Sequence, residues 1–364
     1  MKKNLCLLIL ICSIAFLMSA CQNKSINYEE HLDEYVDESL TYSENFTVLQ
    51  LTDLHWSLGT SNIKQQKYIT NLLSEVESHT GKKVDLIVLT GDLFMLSNVK
   101  TVKSLIKFLE GLDIPYAPLW GNHDRQGLYN ANWLSKQFLN AKNCLYKEVD
   151  NDNVYGRSNY VINLKSSTED KVAWQIAILD SGADYSETGV GLSITYDYIR
   201  EDQAKWFEKE HKEAGEDVPV IAYYHIAQYE SYLAELDVKN GANYKNKYFN
   251  YEGVCGSKAE GAIENLTWFE TAKANNVKAM FQGHAHSTDW TVDYQGITLG
   301  LGVKTGTELY YAKVSKEDAL AQGISVTSDF DLIGASLVTL HSDNTFNLEH
   351  LYYNEGKEAI WLGY

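Results

Sequence analysis

Short apolar runs that each end in polar residues constrain the fold of this chain more than any other feature. Runs at 46–51, 84–89 and 116–120 have the length and composition of buried strands. Between them, 62–78 and 99–109 carry apolar residues at the spacing of amphipathic helices. This alternation predicts an α/β fold whose sheet is covered on both faces.

The same alternation continues downstream. It predicts strands at 172–179, 218–224 and 277–281, and helices at 195–213 and 261–274. Alternating patterns near 289–301 and 334–353 predict antiparallel strands that close a second sheet.

Polar motifs follow five of the predicted strands, where open α/β sheets bind their ligands. The motifs supply three carboxylates, one amide and five of the ten histidines. In chain order they are Asp53-Leu54-His55, Gly91-Asp92, Gly121-Asn122-His123-Asp124, His225 and Gly283-His284-Ala285-His286. The three shorter motifs are weak signals alone and the two four-residue motifs are more specific, and their joint occurrence at strand ends predicts a single site.

Hard oxygen donors mixed with imidazoles suit divalent Mn, Fe or Zn. The set is large enough for two ions, and a pair of ions favours hydrolysis of a phosphate ester. Asp53 and His55 lie two residues apart, so in an extended loop they point to the same side. Cys144 and Cys255 do not have paired metal-ligand spacing, which argues against a zinc–thiolate site, and whether they form a disulfide stays open.

The third motif also supplies candidate catalytic groups. His123 could act as a proton donor or cation beside a phosphate, and Asp124 could hold its ring through the second nitrogen. Arg125 could clamp a phosphate oxygen or form a surface salt bridge. Trp56 and Trp120 could stack on a substrate ring, although core packing is favoured.

Together the motifs resemble those of the calcineurin-like metallophosphoesterases over residues 46 to about 305. This resemblance implies a four-layer α-β-β-α sandwich of two mixed sheets, with a dinuclear metal centre. It implies that the first ion is held by Asp53, His55 and His286, the second by Asn122, His225 and His284, and that Asp92 bridges them.

Other stretches are similar to a branch related to the purple acid phosphatases. They are Leu179-Asp180-Ser181-Gly182, Gln203 through Phe207, and Tyr224-His225-Ile226. The purple enzymes need a tyrosine ligand three residues beyond the bridging aspartate, and here that position is Met95. We therefore expect no iron–tyrosinate centre. Asp180 is interpreted as a turn residue rather than a ligand.

The implied reaction is hydrolysis of a small phosphate monoester or diester. A hydroxide that bridges the two ions would attack phosphorus in line. His123, oriented by Asp124, would offset the developing charge and protonate the leaving group. The alternative is a non-catalytic surface lipoprotein that binds phosphorylated ligands. Residues 126–160 and 226–260 are the long segments expected to shape the substrate pocket.

The amino terminus predicts export. Lys2 and Lys3, an apolar run over 5–18 and Ser19-Ala20 describe a signal peptide over residues 1–20, too short for a membrane span of about 20 residues. Cys21 then resembles the lipidated cysteine of bacterial lipoproteins, so we expect an anchor on the extracytoplasmic face of a bacterial membrane. A cleaved signal and an uncleaved anchor are the alternatives.

Residues 21–45 are acidic and predict a tether, with a short helix through Leu32 and Val36 as the alternative. Residues 46–364 then form the catalytic domain. The net charge of −18 becomes −20 without Lys2 and Lys3, which disfavours nucleic acid as a partner. The sequence does not determine the oligomeric state.

Overall fold

The computed structural model describes residues 40–126, 129–148, 154–185, 195–242, 246–250 and 263–364. The predicted signal peptide, Cys21, most of the predicted tether and Cys255 lie outside these ranges. Within them the helices are α1 (Thr60–Thr80), α2 (Val99–Leu112), α3 (Ala131–Phe138), α4 (Glu201–Ala214), α5 (Tyr229–Lys239), α6 (Thr267–Ala274) and α7 (Lys316–Ala321). No helix in the described ranges is both long and apolar enough to cross a bilayer.

The strands of the described ranges form two large sheets and two small ones. They are β1 (Leu40–Tyr42), β2 (Phe46–Leu51), β3 (Leu86–Thr90), β4 (Tyr116–Leu119), β5 (Tyr160–Ser166), β6 (Val172–Ile178), β7 (Asp184–Tyr185), β8 (Thr195–Tyr196), β9 (Val220–Tyr223), β10 (Asn246–Asn250), β11 (Val277–Gln282), β12 (Thr288–Tyr294), β13 (Ile297–Leu301), β14 (Lys313–Val314), β15 (Phe330–Asp331), β16 (Gly334–Leu340), β17 (Phe346–Tyr352) and β18 (Ile360–Gly363).

Both large sheets are mixed. The six-stranded sheet has the order β18-β17-β16-β2-β3-β4, with β2, β3 and β4 parallel to one another. The eight-stranded sheet has the order β1-β5-β6-β9-β11-β13-β12-β10, with β6, β9, β11 and β13 parallel. The predicted α/β fold with two mixed sheets is therefore confirmed.

The two large sheets pack face to face. Side chains alternate along each strand, so every second residue points toward the other sheet. Phe281 of β11 points inward and its ring contacts that of Phe346 on β17, with 6.5 Å between centroids. The neighbouring Met280 belongs instead to an outer cluster with Phe207 of α4 and Trp268 of α6. Helices therefore cover the outer face of the eight-stranded sheet.

Helices also cover the six-stranded sheet. The buried face of α1 carries Tyr68, Ile69, Leu72 and Val76, which join the core that includes β2 and β3. The capping box of Asn98 and Thr101 fixes the start of α2, and its buried residues join the same core.

Several predicted boundaries are wrong. The predicted helix at 195–213 begins only at Glu201, after the short strand β8, and the one predicted at 261–274 begins at Thr267. Periodicity alone does not locate the start of a helix, since the residues before the helix can share the apolar spacing of the helix itself. The two predicted antiparallel pairs also belong to different large sheets rather than to one second sheet.

The predicted tether extends too far. Leu40–Tyr42 pairs in parallel with β5, and the Tyr42 side chain is buried, with its hydroxyl donating to the carbonyl of Leu340 at 3.3 Å. Residues 40–45 therefore belong to the folded body. The acidic composition upstream of Leu40 concealed this short edge strand.

Candidate metal centre

Parallel strands from both large sheets bring the predicted motifs to one place. From the six-stranded sheet, β2 leads to Asp53, β3 to Asp92 and β4 to Asn122. From the eight-stranded sheet, β9 leads to His225 and β11 to His284. The side-chain amide of Gln50 donates a hydrogen bond to the carbonyl of Gln282 at 2.9 Å and so joins the two sheets just below these loops.

Four of the predicted ligands have left-handed backbone conformations, which non-glycine residues rarely adopt. The φ angles are 52° for Asp53, 45° for His55, 49° for Asp92 and 75° for His284. Such strain persists only where surrounding structure enforces it, and it is typical of functional sites.

The first group of possible ligands comprises Asp53, His55, Asp92 and His286, all buried. The Nε2 atoms of His55 and His286 face each other at 3.0 Å. His286 Nε2 lies 3.3 Å from Asp53 Oδ1, and His55 Nε2 lies 3.9 Å from Asp92 Oδ2.

The second group comprises Asp92, His225 and His284. His225 Nε2 lies 3.4 Å from Asp92 Oδ1 and 3.1 Å from Asn122 Oδ1, so the amide of Asn122 joins this group. The rings of His225 and His284 meet edge to face with centroids 5.1 Å apart. In each group the offered ligand atoms lie within 4.8 Å of one another, and Asp92 belongs to both.

Glycines allow this close approach. A Cβ on Gly91 would lie 2.5 Å from His225 Nδ1, and one on Gly121 would lie 2.3 Å from Asp92 Oδ1. A Cβ on Gly283 would lie 2.2 Å from Thr52 Oγ1. No side chain fits at these positions beside the ligands, so the motifs need glycine there.

Neighbouring polar groups orient the ligands. His225 Nδ1 donates to the Thr90 carbonyl at 2.8 Å, which fixes the ring with Nε2 toward Asp92. The backbone amides of His225 and Ile226 donate to Ser181 Oγ at 3.2 and 2.8 Å. Asp53 Oδ2 accepts from the hydroxyl of Thr52 at 2.7 Å.

The electrostatics favour a cation. Burial lowers the pKa of His55 to about 3 and that of His284 to about 4, so both rings are neutral near pH 7. Burial also disfavours a charged His225 ring, but the Asp92 and Asp53 carboxylates outweigh it and raise the pKa to about 9. The pKa of Asp53 and of Asp92 is lowered, because nearby histidines outweigh the opposing effect of burial.

The donor set fits a divalent metal ion. Two imidazole nitrogens that face each other at 3.0 Å, beside two ionised carboxylates, can share a cation, since each nitrogen can offer a lone pair. The buried Nδ1 of His284 also has no hydrogen-bond partner among the described residues. A nitrogen of this kind can be satisfied by a bound ion or a water.

His123 lies beside the two groups rather than within them. Its backbone amide donates to Asp92 Oδ1 at 2.8 Å, and its Nε2 lies 4.0 Å from Asp92 Oδ2. Its side chain is 32% exposed, so the ring lies between the buried ligands and solvent.

The expected role of Asp124 as a partner of the His123 ring is wrong. Its Oδ1 accepts from the amide of Phe94 at 3.1 Å, and its Oδ2 accepts from that of Gly121 at 2.8 Å. Burial and the Asp92 charge raise its pKa to about 8. Asp124 therefore holds the loop backbones together. The sequence prediction failed because the chain turns in a 3-10 helix over His123–Arg125. This turn points the Asp124 side chain inward, to the amides of Phe94 and Gly121.

Arg125 forms an ion pair, but not one on the surface. Its guanidinium contacts Asp180, which is fully buried and also accepts from the amides of Arg157 and Ser158. Asp180 Oδ1 also accepts from the amide of Gly182 at 2.9 Å, as expected for a turn residue, and Asp180 belongs to neither ligand group. Beyond the predicted turn, it anchors the loop that carries Arg125.

The two tryptophans beside the motifs pack in the core, as favoured by the sequence. Trp56 is fully buried and stacks on Phe108, and Trp120 is fully buried and donates to Ser135 Oγ at 3.0 Å. Neither side chain is available to a substrate.

Sequence reasoning missed Ser181 and Lys304. Lys304 is buried, its Nζ donates to the Asp53 carbonyl at 2.8 Å, and burial lowers its pKa to about 8. Lys304 and Thr305 follow β13, so the rule that polar residues at strand ends mark the site would have selected them. Cys144 is buried, and Cys255 lies outside the described residues, so whether the two pair stays open.

Comparison with known proteins agrees with this geometry. The model of the calcineurin-like phosphoesterase family matches residues 46–288, which contain every predicted metal ligand. The chain belongs to the calcineurin-like phosphoesterase family. The family resemblance inferred from the motifs is therefore confirmed.

Curated relatives of this phosphoesterase carry phosphatase names. It is 26% identical to "Probable inactive purple acid phosphatase 29" of Arabidopsis thaliana, over 74% of this chain and 75% of the relative. It is 28% identical to "Phosphatase DCR2" of Saccharomyces cerevisiae, over 67% of this chain but only 44% of that protein.

A solved structure supports the fold. The protein is similar to GAP50, described as the anchor in the inner membrane complex of Plasmodium, with a TM-score of 0.51 and 16% identity. The match covers 88% of this chain and 89% of that one.

Proposed function

We propose that this protein is a metal-dependent hydrolase of phosphate esters with a dinuclear centre. The observation that carries the proposal is that Asp92 belongs to both groups of ligands. A carboxylate has two oxygens and can serve two cations at once. Asp53, His55 and His286 would hold one cation, and Asn122, His225 and His284 the other.

A pair of divalent cations lowers the pKa of a water shared between them and neutralises charge on phosphate oxygens. The chain's own residues prepare the site for this chemistry. The neutral rings of His55 and His284 and the ionised Asp53 and Asp92 offer lone pairs without first losing protons. Thr90 and Ser181 fix the orientation of His225 and so reduce the reorganisation that binding requires.

His123 would assist departure of the leaving group. Its ring reaches solvent while its backbone is fixed to Asp92, so it can contact a phosphate oxygen from the open side of the site. A histidine there can donate a proton to the leaving oxygen or stabilise charge on phosphorus.

The names of several relatives include the word "inactive". Those names favour the alternative of a non-catalytic protein that binds phosphorylated ligands. The pre-formed ligand set and the partly exposed His123 favour the hydrolase, since a binding protein would need neither a bridging carboxylate nor a proton donor.

The proposal is tested by turnover of 4-nitrophenyl phosphate and bis(4-nitrophenyl) phosphate with added Mn²⁺. We expect hydrolysis of at least one ester and a loss of roughly 100-fold or more in kcat for His123→Ala, within the usual range for a general acid. His79→Ala is the matched control, because His79 is similarly exposed but pairs with Glu349. Metal binding without turnover of either ester would support the non-catalytic alternative.

The proposal includes the cellular location. The protein would be held on the extracytoplasmic face of a bacterial membrane through a lipid on Cys21. Cys21→Ser should move the protein from the membrane fraction to the soluble fraction. An unchanged distribution would refute lipidation at this residue.

A further inference from the structure

A tyrosine lies against the first ligand group. The ring of Tyr310 is 4.8 Å from that of His286, centroid to centroid, and the residue is 61% exposed. On the other side, the ring of Tyr196 meets His284 edge to face at 4.4 Å. Each histidine of the fifth motif therefore has an aromatic ring beside it.

The loop that carries Tyr310 is fixed to the ligand loop. The amide of Thr305 donates to the Thr52 carbonyl at 2.9 Å, and the amide of Thr52 donates to Thr305 Oγ1 at 3.2 Å. Lys304 Nζ donates to the Asp53 carbonyl at 2.8 Å. The position of Tyr310 is thus tied to that of Asp53.

Two further features hold this loop in place. Gly306 passes so close that a Cβ would lie 2.2 Å from the carbonyl oxygen of Asp53. Glu308 accepts a hydrogen bond from Ser61 at the start of α1. Leu309 has a φ of 60°, a conformation costly for leucine. Backbone strain immediately before an exposed aromatic residue indicates that the position of that residue is important for function.

Exposed apolar side chains lie on the two segments that Ser61 and Glu308 join. Leu309, next to Tyr310, is 42% exposed, and Leu58, three residues before Ser61, is 47% exposed. Two basic side chains of the ligand loops are engaged elsewhere, because Arg125 pairs with the buried Asp180 and the Lys304 ammonium donates to the Asp53 carbonyl. With a net charge of −18, this surface favours a neutral group over a second phosphate.

We infer that Tyr310 determines specificity by stacking on a planar ring in the leaving group of the phosphate ester. This inference rests on the proposed function, since the phosphate must lie at the ligands for the leaving group to reach Tyr310. Trp56 and Trp120 are buried in the core, so Tyr310 supplies the stacking surface that they cannot.

The test compares phenylphosphonate with methylphosphonate, which differ in the ring and are not hydrolysed. Calorimetric titration of the Mn²⁺-loaded full-length protein measures both affinities. We expect wild type to prefer phenylphosphonate roughly three- to tenfold, in line with the usual strength of aromatic pairs. Tyr310→Ala should abolish the preference and leave the methylphosphonate affinity unchanged, whereas Tyr310→Phe should keep it.

Tyr311→Ala is the matched control, because Tyr311 is 36% exposed on the same loop and interacts with Tyr68 of α1. A preference that survives Tyr310→Ala, or no binding of either compound by wild type, would overturn the inference. Turnover of 4-nitrophenyl phosphate by the same preparations separates the two claims. Turnover with an unchanged ring preference refutes the role of Tyr310 alone, whereas absent turnover with a Tyr310-dependent preference refutes hydrolysis alone.

Discussion

Gly121→Ala should disable the metal centre by steric crowding alone. The added Cβ would lie 2.3 Å from Asp92 Oδ1, 2.4 Å from Asp92 N and 2.8 Å from His225 Nε2. Because one of these atoms is backbone, a change of rotamer cannot relieve the clash. Normal contact requires Asp92 and Gly121 to separate by about 1 Å, a displacement that can cost roughly 100-fold in rate. Overpacking should also cost about 1–3 kcal/mol of stability.

Three measurements on purified protein test this prediction: bound Mn²⁺, turnover of 4-nitrophenyl phosphate and urea unfolding. Gly111→Ala is the control, because Gly111 lies in α2 and a Cβ there meets nothing within 4 Å. We expect the control to keep metal and activity, and to be more stable by about 0.5–1 kcal/mol. If Gly121→Ala keeps metal and turnover within twofold of wild type, the argument that glycine is needed for close packing is refuted.

Two further predictions concern buried groups outside the ligand set. Burial raises the pKa of Glu230 to about 7 from its ordinary 4.5. Glu230 should therefore not destabilise the fold below pH 4.5, should cost increasing stability between pH 4.5 and 7, and should have its full effect above pH 7. Glu230→Gln should therefore raise the unfolding free energy at pH 8, by up to roughly 3 kcal/mol, but not at pH 4.5; an equal effect at both pH values would contradict this. Ser181→Ala should cost about 1–3 kcal/mol in urea unfolding, because the amides of His225 and Ile226 lose their acceptor. Ser74→Ala on the exposed face of α1 should change stability by less than about 0.5 kcal/mol, and equal effects of the two changes would refute the role of Ser181.

The sequence predicted the ligands well because their signal is local. Asp53, Asp92 and His225 each follow an apolar strand directly, and parallel strands bring their carboxyl ends to the same edge. The strands and helices that lead to these residues have strong periodicity. Their positions could therefore be read without knowing how the sheets pack.

Roles that depend on tertiary contacts could not be read in this way. The direction of the Asp124 carboxylate depends on where the amides of Phe94 and Gly121 lie. The ion pair of Arg125 with Asp180 joins segments 55 residues apart. Periodicity carries no information about such pairs.

The substrate surface was the hardest part to predict. The sequence selected 126–160 and 226–260 as pocket segments, and parts of both lie outside the described residues. Tyr310 lies instead on the loop between β13 and β14, where no conspicuous motif marks it. Its place beside His286 depends on the contacts that hold this loop against Thr52 and Asp53.

A dinuclear centre requires that one site hold two divalent cations that share Asp92. Elemental analysis of purified protein after loading with Mn²⁺ and removal of the excess counts these ions. We expect about two Mn²⁺ per chain for wild type and at most one for Asp92→Asn. One ion or none in wild type, or two ions retained by Asp92→Asn, would contradict it.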